Sequence, residues 1–406
     1  MTPGKTGNTG RPSTARSVEE HCAHVERLLD PLSSLPPVDV SPEAALGRVT
    51  AADISSPVDL PLFRNSQMDG YAVDAASLDT IPVTLPTRGV VAAGPGTPPP
   101  HEPGTAVRIM TGAVIPDGAD AVVPVEDTVV DGDYVTISRR RRTGEYVRER
   151  GTDVTKGTLL LPAGTVLTPR HIALLAAVGS QTVSVRALPR VAVVTTGTEL
   201  VPAGRSLRPG EIYDSNGTAL SVSATANGGN VVSVIHSDDD SATFRAILTR
   251  AAAIADVIFT SGGVSMGDFE VVKETLAPLG GEFVHVGMQP GGPQGTAVFD
   301  GVPVLNFPGN PVSTLVSFEV FARPVLRRAA GLPSLEQPRL ALATDVTSVA
   351  GKRQFLRART TGETVEPVAG PGSHLVAAMA WSNVLIDIPA DVEFLAAGEL
   401  VEVWPL

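Results

Sequence analysis

A short apolar run, Val257-Ile-Phe-Thr260, ends in Ser261-Gly-Gly263, and a helix-like stretch from Phe269 to Leu276 follows closely. In an α/β protein this pattern is a buried strand, a tight turn and a helix start. Such a turn points backbone N–H groups and the positive end of the helix dipole at one place. The chemistry on offer is the holding of a phosphate or another oxyanion, with glycine letting a ligand come close to the backbone. A plain turn would use the same glycines. Three further loops add to the pattern. Asn306-Phe-Pro-Gly-Asn-Pro-Val-Ser313 leads from a strand into a long helix and presents helix-start amides and the Ser313 hydroxyl. Thr195-Thr-Gly-Thr-Glu-Leu200 carries Glu199, a carboxylate with no evident structural task. Glu211-Ile-Tyr-Asp-Ser-Asn216 opens another helix, where Asp214 or Ser215 is either a cap or part of a site. Ligands of open α/β sheets bind at such strand ends. No GxGxxG pattern or phosphate-loop lysine is present in these loops, which argues against a dinucleotide or NTP site.

The elements that would position these loops alternate in kind between residues 190 and 330. Strands are expected at 191–195, 231–235, 257–260 and 304–307, with helices at 215–226, 241–253, 269–276 and 311–329. Near-continuous apolar strands separated by helices predict a mostly parallel sheet covered on both faces. Upstream, Ser17 to Leu29 reads as a helix with a capping box from Ser17 to Glu20, and Ser41 to Gly47 as a short second helix. Between 51 and 147, short strand-like pieces separated by Pro/Gly turns predict a small β domain. Thr168 to Val178 is a helix closed by Gly179, and Gly331 to Pro338 forms a boundary before a last β-rich segment, 339–406.

Bulk properties exclude several classes. The 406 residues carry a formal charge of −12, which argues against general nucleic-acid binding, and an anion would need local donors or a bridging cation. The Arg139–Arg142 run reads as a solvated loop. No apolar run approaches the roughly 20 residues that span a bilayer, and no secretory pattern opens the chain, so a cytoplasmic protein is expected. Cys22 is the single cysteine, which precludes an internal disulfide and a thiolate zinc site. His21 and His24 share a helix without a third ligand and read as a solvated face, and His171, His236, His285 and His374 receive no role.

Seven stretches in order resemble the molybdenum insertases of the MoeA and gephyrin E-domain type, the molybdopterin molybdenumtransferases. They are Asn65-Ser-Gln-Met-Asp-Gly-Tyr-Ala72, Arg108-Ile-Met-Thr-Gly112, Arg150-Gly-Thr-Asp-Val154, Thr196-Gly-Thr-Glu-Leu200, Ile212-Tyr-Asp-Ser-Asn216, Ser261-Gly-Gly-Val-Ser265 and Pro308-Gly-Asn-Pro-Val-Ser313. The resemblance runs from about Ser17 to the C-terminus. It implies an elongated homodimer whose active cleft is shared between the α/β domain of one subunit and the β domain of the other. Each subunit would hold a disordered tail (1–16), a helical and extended linking region (17–50 and 148–188), a small β domain (51–147), a doubly wound α/β molybdopterin-binding-like domain (189–331) and a C-terminal β-barrel (338–406). The implied reaction consumes adenylyl-molybdopterin and molybdate with Mg²⁺, hydrolyses the adenylate, ligates molybdenum to the dithiolene and releases AMP. Implied partners are molybdopterin adenylyltransferase and the proteins that mature downstream molybdoenzymes.

By the same resemblance, Asp69, Asp153, Glu199 and Glu270 are the acidic catalytic group, and Asp69, Asp153 and Glu199 hold the metal. Thr111, Ser261, Gly262, Gly263, Ser265, Asn310, Pro311, Ser313 and Asp214 face the substrate, while Gln289, Pro293, Arg353, Arg357 and Ser382 form the oxyanion side. The chain also departs from the family. Many members carry Lys-Pro-Gly-Lys-Pro where this one has Gln289-Pro-Gly-Gly-Pro293, so both lysines are gone and Gln294 offers only a neutral donor. After Ser-Gly-Gly-Val-Ser, the usual acidic-x-Asp-Tyr becomes Asp268-Phe-Glu-Val271. The missing lysines leave open a non-catalytic molybdopterin-binding or assembly paralogue, and tungstate is an alternative to molybdate.

Overall fold

The computed structural model describes residues 15–263 and 270–406. Ser265, expected at the substrate site, lies outside the described residues. The chain forms two compact units, Asp39–Ser184 and the combination of Met1–Val38 with Val185–Leu406.

In the first unit, a six-stranded sheet has the order Ala121–Pro124, Gly70–Val73, Ala106–Ile109, Val83–Val91, Tyr134–Ile137 and Thr128–Asp131. Tyr71, Val73, Leu85 and Val135 pack on one face, and Ala72, Val107, Ile109 and Val122 on the other. Both faces of the central strands are therefore covered, with alternate side chains serving the two cores, while Thr128–Asp131 at the edge is largely exposed. Gly70 starts its strand. A Cβ there would collide with the Val123 carbonyl of the neighbouring strand. The Arg139–Arg142 run is not uniformly solvated. Arg141 is buried, pairs with Asp127 and lies 5.1 Å over the Tyr146 ring. The helix expected at 41–47 shrinks to one 3₁₀ turn, Glu43–Ala45.

The second unit is built on a sheet of order Asn230–Ser237, Arg190–Thr196, Val257–Ser261, Val302–Phe307, Pro293–Phe299 and Glu282–His285. The first four strands run parallel, while Pro293–Phe299 and Glu282–His285 pair antiparallel at one edge. Val191, Val193, Phe259 and Leu305 face one layer, where Val18, Val25 and Leu29 of the Val18–Leu29 helix join Phe318, Phe321 and Leu326 of the long helix. Ala192, Val194 and Ile258 face the other, against Phe244, Leu248, Val272 and Leu276. Ser17 and Glu20 make the expected capping box. His21 on that helix is buried edge-on against Phe321, not solvated, and burial lowers its pKa to about 3. Burial likewise pushes the Cys22 thiol up to about 12, which keeps it protonated and unreactive.

The long helix is continuous but irregular, with α-helix Pro311–Ser317, a π-turn Phe318–Ala322 and α-helix Arg323–Ala329. Pro324 accounts for the π-turn, since its missing N–H and its ring cannot fit the regular ladder. A barrel follows, in which Arg353–Thr361, Thr364–Pro367, Arg339–Leu342, Leu400–Pro405 and Val384–Ile388 pair in turn and close on themselves. Leu356, Ala358, Val365, Ile386 and Val403 fill it. Met288–Gln289 adds a short parallel strand to its edge.

Candidate functional site

The chain visits Arg190–Thr196 first, Asn230–Ser237 on one side of it, then Val257–Ser261 on the other. The order of the sheet thus reverses beside the first strand, and the loops at its C-terminal end splay apart to open a crevice. A cavity of about 490 Å³ lies there. Its walls bring together Glu199, Glu270, Asp214, Ser261, Gly262, Gly263, Asn310, Pro311, Ser313 and Pro293 from the expected set.

Hydrogen bonds between the loops hold this rim. Asp214 caps the Ser215–Ala226 helix, accepting from the Gly217 N–H at 2.9 Å, and its other oxygen accepts from the Thr195 hydroxyl at 2.6 Å. The cap role is therefore real, and it places the carboxylate on the cavity wall as well. Asn216 is buried and donates to Ser261 Oγ at 2.9 Å and to the Gly309 carbonyl at 2.7 Å. One amide thus ties three loops. The Ser261 hydroxyl, 2% exposed, lies 3.2 Å from the Pro308 carbonyl and 3.3 Å from Thr314 Oγ1. It acts as scaffold within the rim. Gly262 and Gly263 have φ of 96° and 65°, and a Cβ would stand 2.8 Å from the Thr196 carbonyl oxygen in one case and 2.6 Å from Val272 in the other. Only glycine makes this turn without strain.

Glu199, Asp214, Asp239 and Glu270 make the described lining acidic, and no Lys or Arg is among the described lining residues. Asp239 accepts from the Thr198 N–H at 3.2 Å. The carboxylates of Glu199 and Glu270 engage no other described residue, and the buried Thr196 hydroxyl on the wall has no partner. No cluster of three or more metal-ligating side chains exists among the described residues.

The other expected residues lie elsewhere. Asp69 and Thr111 meet in the first unit, where one Asp69 oxygen accepts from the Thr111 N–H at 2.7 Å and from its hydroxyl at 2.8 Å. These bonds, with Arg108 nearby, hold the carboxyl below the usual range and leave the second oxygen available. Asp153 is exposed, next to the bridge between Leu60 and Val154. On the oxyanion side only Pro293 lines the cavity. Gln289 accepts from the Gln354 amide at 2.6 Å. Arg353 forks onto Asp387 and reaches Glu19 at 2.6 Å, while Arg357, 2% exposed, donates to the carbonyls of Gly370, Gly372 and Leu375. Ser382 donates to the Ala378 carbonyl at 2.7 Å. The two arginines and Ser382 thus donate within the chain. Gln294 is spent too, donating to the Gly291 carbonyl and to Ser317 Oγ, both at 2.7 Å. At Gly291 a Cβ would stand 2.8 Å from Ser317 Oγ, and at Gly292 2.6 Å from the His285 ring. Gly292 matches one of the family's lysine positions, and a lysine there would have to displace the His285 ring.

Asn216, Thr195, Thr314 and Asp239 were not among the expected site residues. The Asp238-Asp-Asp240 run after a strand was the signal for Asp239, and nothing in the sequence marks Thr314.

Comparison with known proteins now decides the family. Residues 16–179 match the MoeA N-terminal region (domain I and II), 192–328 the "Probable molybdopterin binding domain", and 339–406 the MoeA C-terminal region (domain IV). Molybdopterin molybdenumtransferase 2 of Mycobacterium tuberculosis is 43% identical over 406 residues, covering 96% of this chain and 100% of the relative. The chain belongs to the molybdopterin molybdenumtransferase family. Molybdopterin molybdenumtransferase of Haemophilus influenzae is 34% identical over 373 residues, covering 89% and 92% of the two chains. A solved molybdopterin biosynthesis MoeA protein from Pyrococcus horikoshii superposes with a TM-score of 0.74 at 36% identity, covering 93% of this chain and 97% of that one. The central domain of this molybdenumtransferase homologue is thus the one matching the molybdopterin-binding model, and the cavity lies in it.

Proposed function

We propose that the chain is a molybdenum insertase of molybdenum cofactor biosynthesis. It takes adenylyl-molybdopterin and molybdate, hydrolyses the adenylate with release of AMP, and leaves molybdenum on the dithiolene. The observation that carries this reading is the acidic cavity at the strand-order reversal, with Glu199 and Glu270 unengaged beside a glycine turn and the Asn310–Ser313 helix start. Mg²⁺ takes only one or two carboxylates and fills its other positions with phosphate oxygens and water, so a preformed trio of side chains is not required. Glu199 and Glu270 would hold it in this unit, and Asp69 and Asp153 are proposed to join them in the homodimer. Bound there, the metal would offset the charge of the phosphoanhydride. Gly263 offers its amide to the phosphate, while the Gly262 N–H is held by the Phe307 carbonyl and the Val312 N–H by the Ser373 carbonyl, and Thr111 orients Asp69. Molybdopterin adenylyltransferase, as supplier of substrate, and cofactor-receiving maturation proteins are the proposed partners. No described helix is long and apolar enough to cross a membrane, and a cytoplasmic site of action is proposed.

The test is AMP release from adenylyl-molybdopterin with molybdate and Mg²⁺. Glu199→Ala should cut release by about 10²-fold or more, in the range that removal of a positioned charged group produces, while circular dichroism stays native. Wild-type protein inert under conditions where the Mycobacterium relative turns over would end the reading.

A second reading, a molybdopterin-binding assembly paralogue, is favoured by the His285 ring packed against Gly292, where the family carries a lysine, and by the engaged arginines. It predicts pterin binding in calorimetry that molybdate does not alter. Tungstate in place of molybdate is tested in the same release assay.

A further inference from the structure

Among the described residues, the cavity has a single aromatic side chain on its wall, Tyr213, and the insertase reading gives it no task. Tyr213 ends the two-residue strand Ile212–Tyr213, which pairs in parallel with Leu200–Val201. The residue is 45% exposed, and its hydroxyl donates to the Arg205 carbonyl at 2.7 Å. Two attachments therefore fix the side chain, the strand pairing at its backbone and the hydroxyl bond at its tip. The polar tip is satisfied by the chain itself, yet the side chain stays partly exposed on a cavity whose walls also carry the carboxylates of Glu199, Asp214, Asp239 and Glu270. Ile212, 52% exposed, and Leu200 extend the apolar surface along the same rim. Leaving fixed aromatic area in water forgoes burial that the fold could have supplied. A fixed, bare ring beside a phosphate-type cradle matches what nucleotide-binding proteins use to stack a planar base.

We propose that Tyr213 is the stacking surface for a planar heteroaromatic ring carried by the phosphorylated substrate. Purine and pterin share that chemistry. The proposal takes the choice of these two rings from the insertase reading, and the stacking itself from the geometry.

The test titrates full-length protein, with Mg²⁺ present, against three probes: AMP, 6-hydroxymethylpterin and ribose 5-phosphate. Wild type, Tyr213→Leu and Tyr213→Phe are compared by calorimetry. Leucine keeps apolar bulk and removes the π-face, while phenylalanine keeps the face and removes the hydroxyl bond. The exposed position makes both compatible with the fold, which circular dichroism checks. The expected result is a loss of about tenfold or more in affinity for one ring probe in Tyr213→Leu, the scale of one base–aromatic stack. Ribose 5-phosphate affinity stays unchanged and Tyr213→Phe behaves as wild type. The probe that weakens, AMP or the pterin, names the ring. The proposal is overturned if wild type binds neither ring, if Tyr213→Leu binds both as wild type does, if ribose 5-phosphate weakens equally, or if Tyr213→Phe loses as much as Tyr213→Leu. AMP release measured on the same proteins separates the two claims. Native release with no ring effect removes the stacking surface alone. A ring effect with no release in wild type removes the insertase reading alone.

Discussion

Asn216→Ala is the substitution that most directly probes how the rim is assembled. The wild-type amide makes two bonds, 2.9 Å to Ser261 Oγ and 2.7 Å to the Gly309 carbonyl. Each neutral hydrogen bond contributes about 1 kcal/mol net. Gly309 is exposed, so its carbonyl regains water, and Ser261 keeps Pro308 and Thr314 within reach. No buried group is orphaned, so the loss should be that of the two bonds alone, about 1–2 kcal/mol, without a further desolvation penalty. With a urea slope on the order of 2 kcal/mol/M, the midpoint of the unit that contains the cavity falls by roughly 0.5–1 M. Far-UV circular dichroism follows the unfolding. AMP release should fall further than stability does, because the loops bearing Asp214, Ser261 and Gly309 lose their common tie. A double-mutant cycle with Ser261→Ala should give a coupling of about 0.5–1 kcal/mol. An unchanged midpoint, or effects that simply add, would refute the account of Asn216 as the joint between loops.

Other expectations follow from single contacts. Thr111→Ala removes the hydroxyl that donates to Asp69, so the Asp69 carboxyl should titrate at higher pH, as followed by carboxyl-carbon NMR. The sign follows from the depressed pKa. The stabilising contribution of Asp69 is present above its ordinary unfolded value and is lost as pH falls through the folded one, and the substitution shrinks that dependence. Arg323→Ala strands Glu319, which is buried 8% exposed in the π-turn and already has its pKa raised by burial, so a loss of about 3–5 kcal/mol is expected. That deficit should be smallest below the ordinary carboxyl range and grow as pH rises through the raised value, read as urea midpoint against pH. Gly262→Ala places a Cβ 2.8 Å from the Thr196 carbonyl at φ 96°, costing about 1–3 kcal/mol, and should impair AMP release beyond what the midpoint shift explains.

Local chemistry made much of this protein readable from its residues in order. Ser17 and Glu20 cap a helix whatever the fold, because the bonds span three residues. Thr168, Pro169 and Gly179 bound another for the same reason. The apolar strands at 191–195 and 257–260 announced a doubly covered sheet, and the glycine turn after the second placed a site at its end. Strands Glu282–His285 and Pro293–Phe299 escaped notice because their Gly- and Pro-rich surroundings resemble loops, and only pairing at a sheet edge makes them strands. The contacts of the side chains were decided by the tertiary structure alone. His21 and Arg141 look solvated in sequence and are buried by neighbours more than a hundred and about fourteen residues away, Phe321 and Asp127 respectively. Arg353 and Arg357 look like free cations, yet the barrel supplies Asp387 and three carbonyls that absorb them. Asn216 reaches loops 45 and 93 positions away. A residue's type sets which bonds it can make, and a near neighbour in the chain can complete a cap or a turn. Which distant partner stands within 3 Å depends on how the whole sheet packs, and no local pattern encodes that.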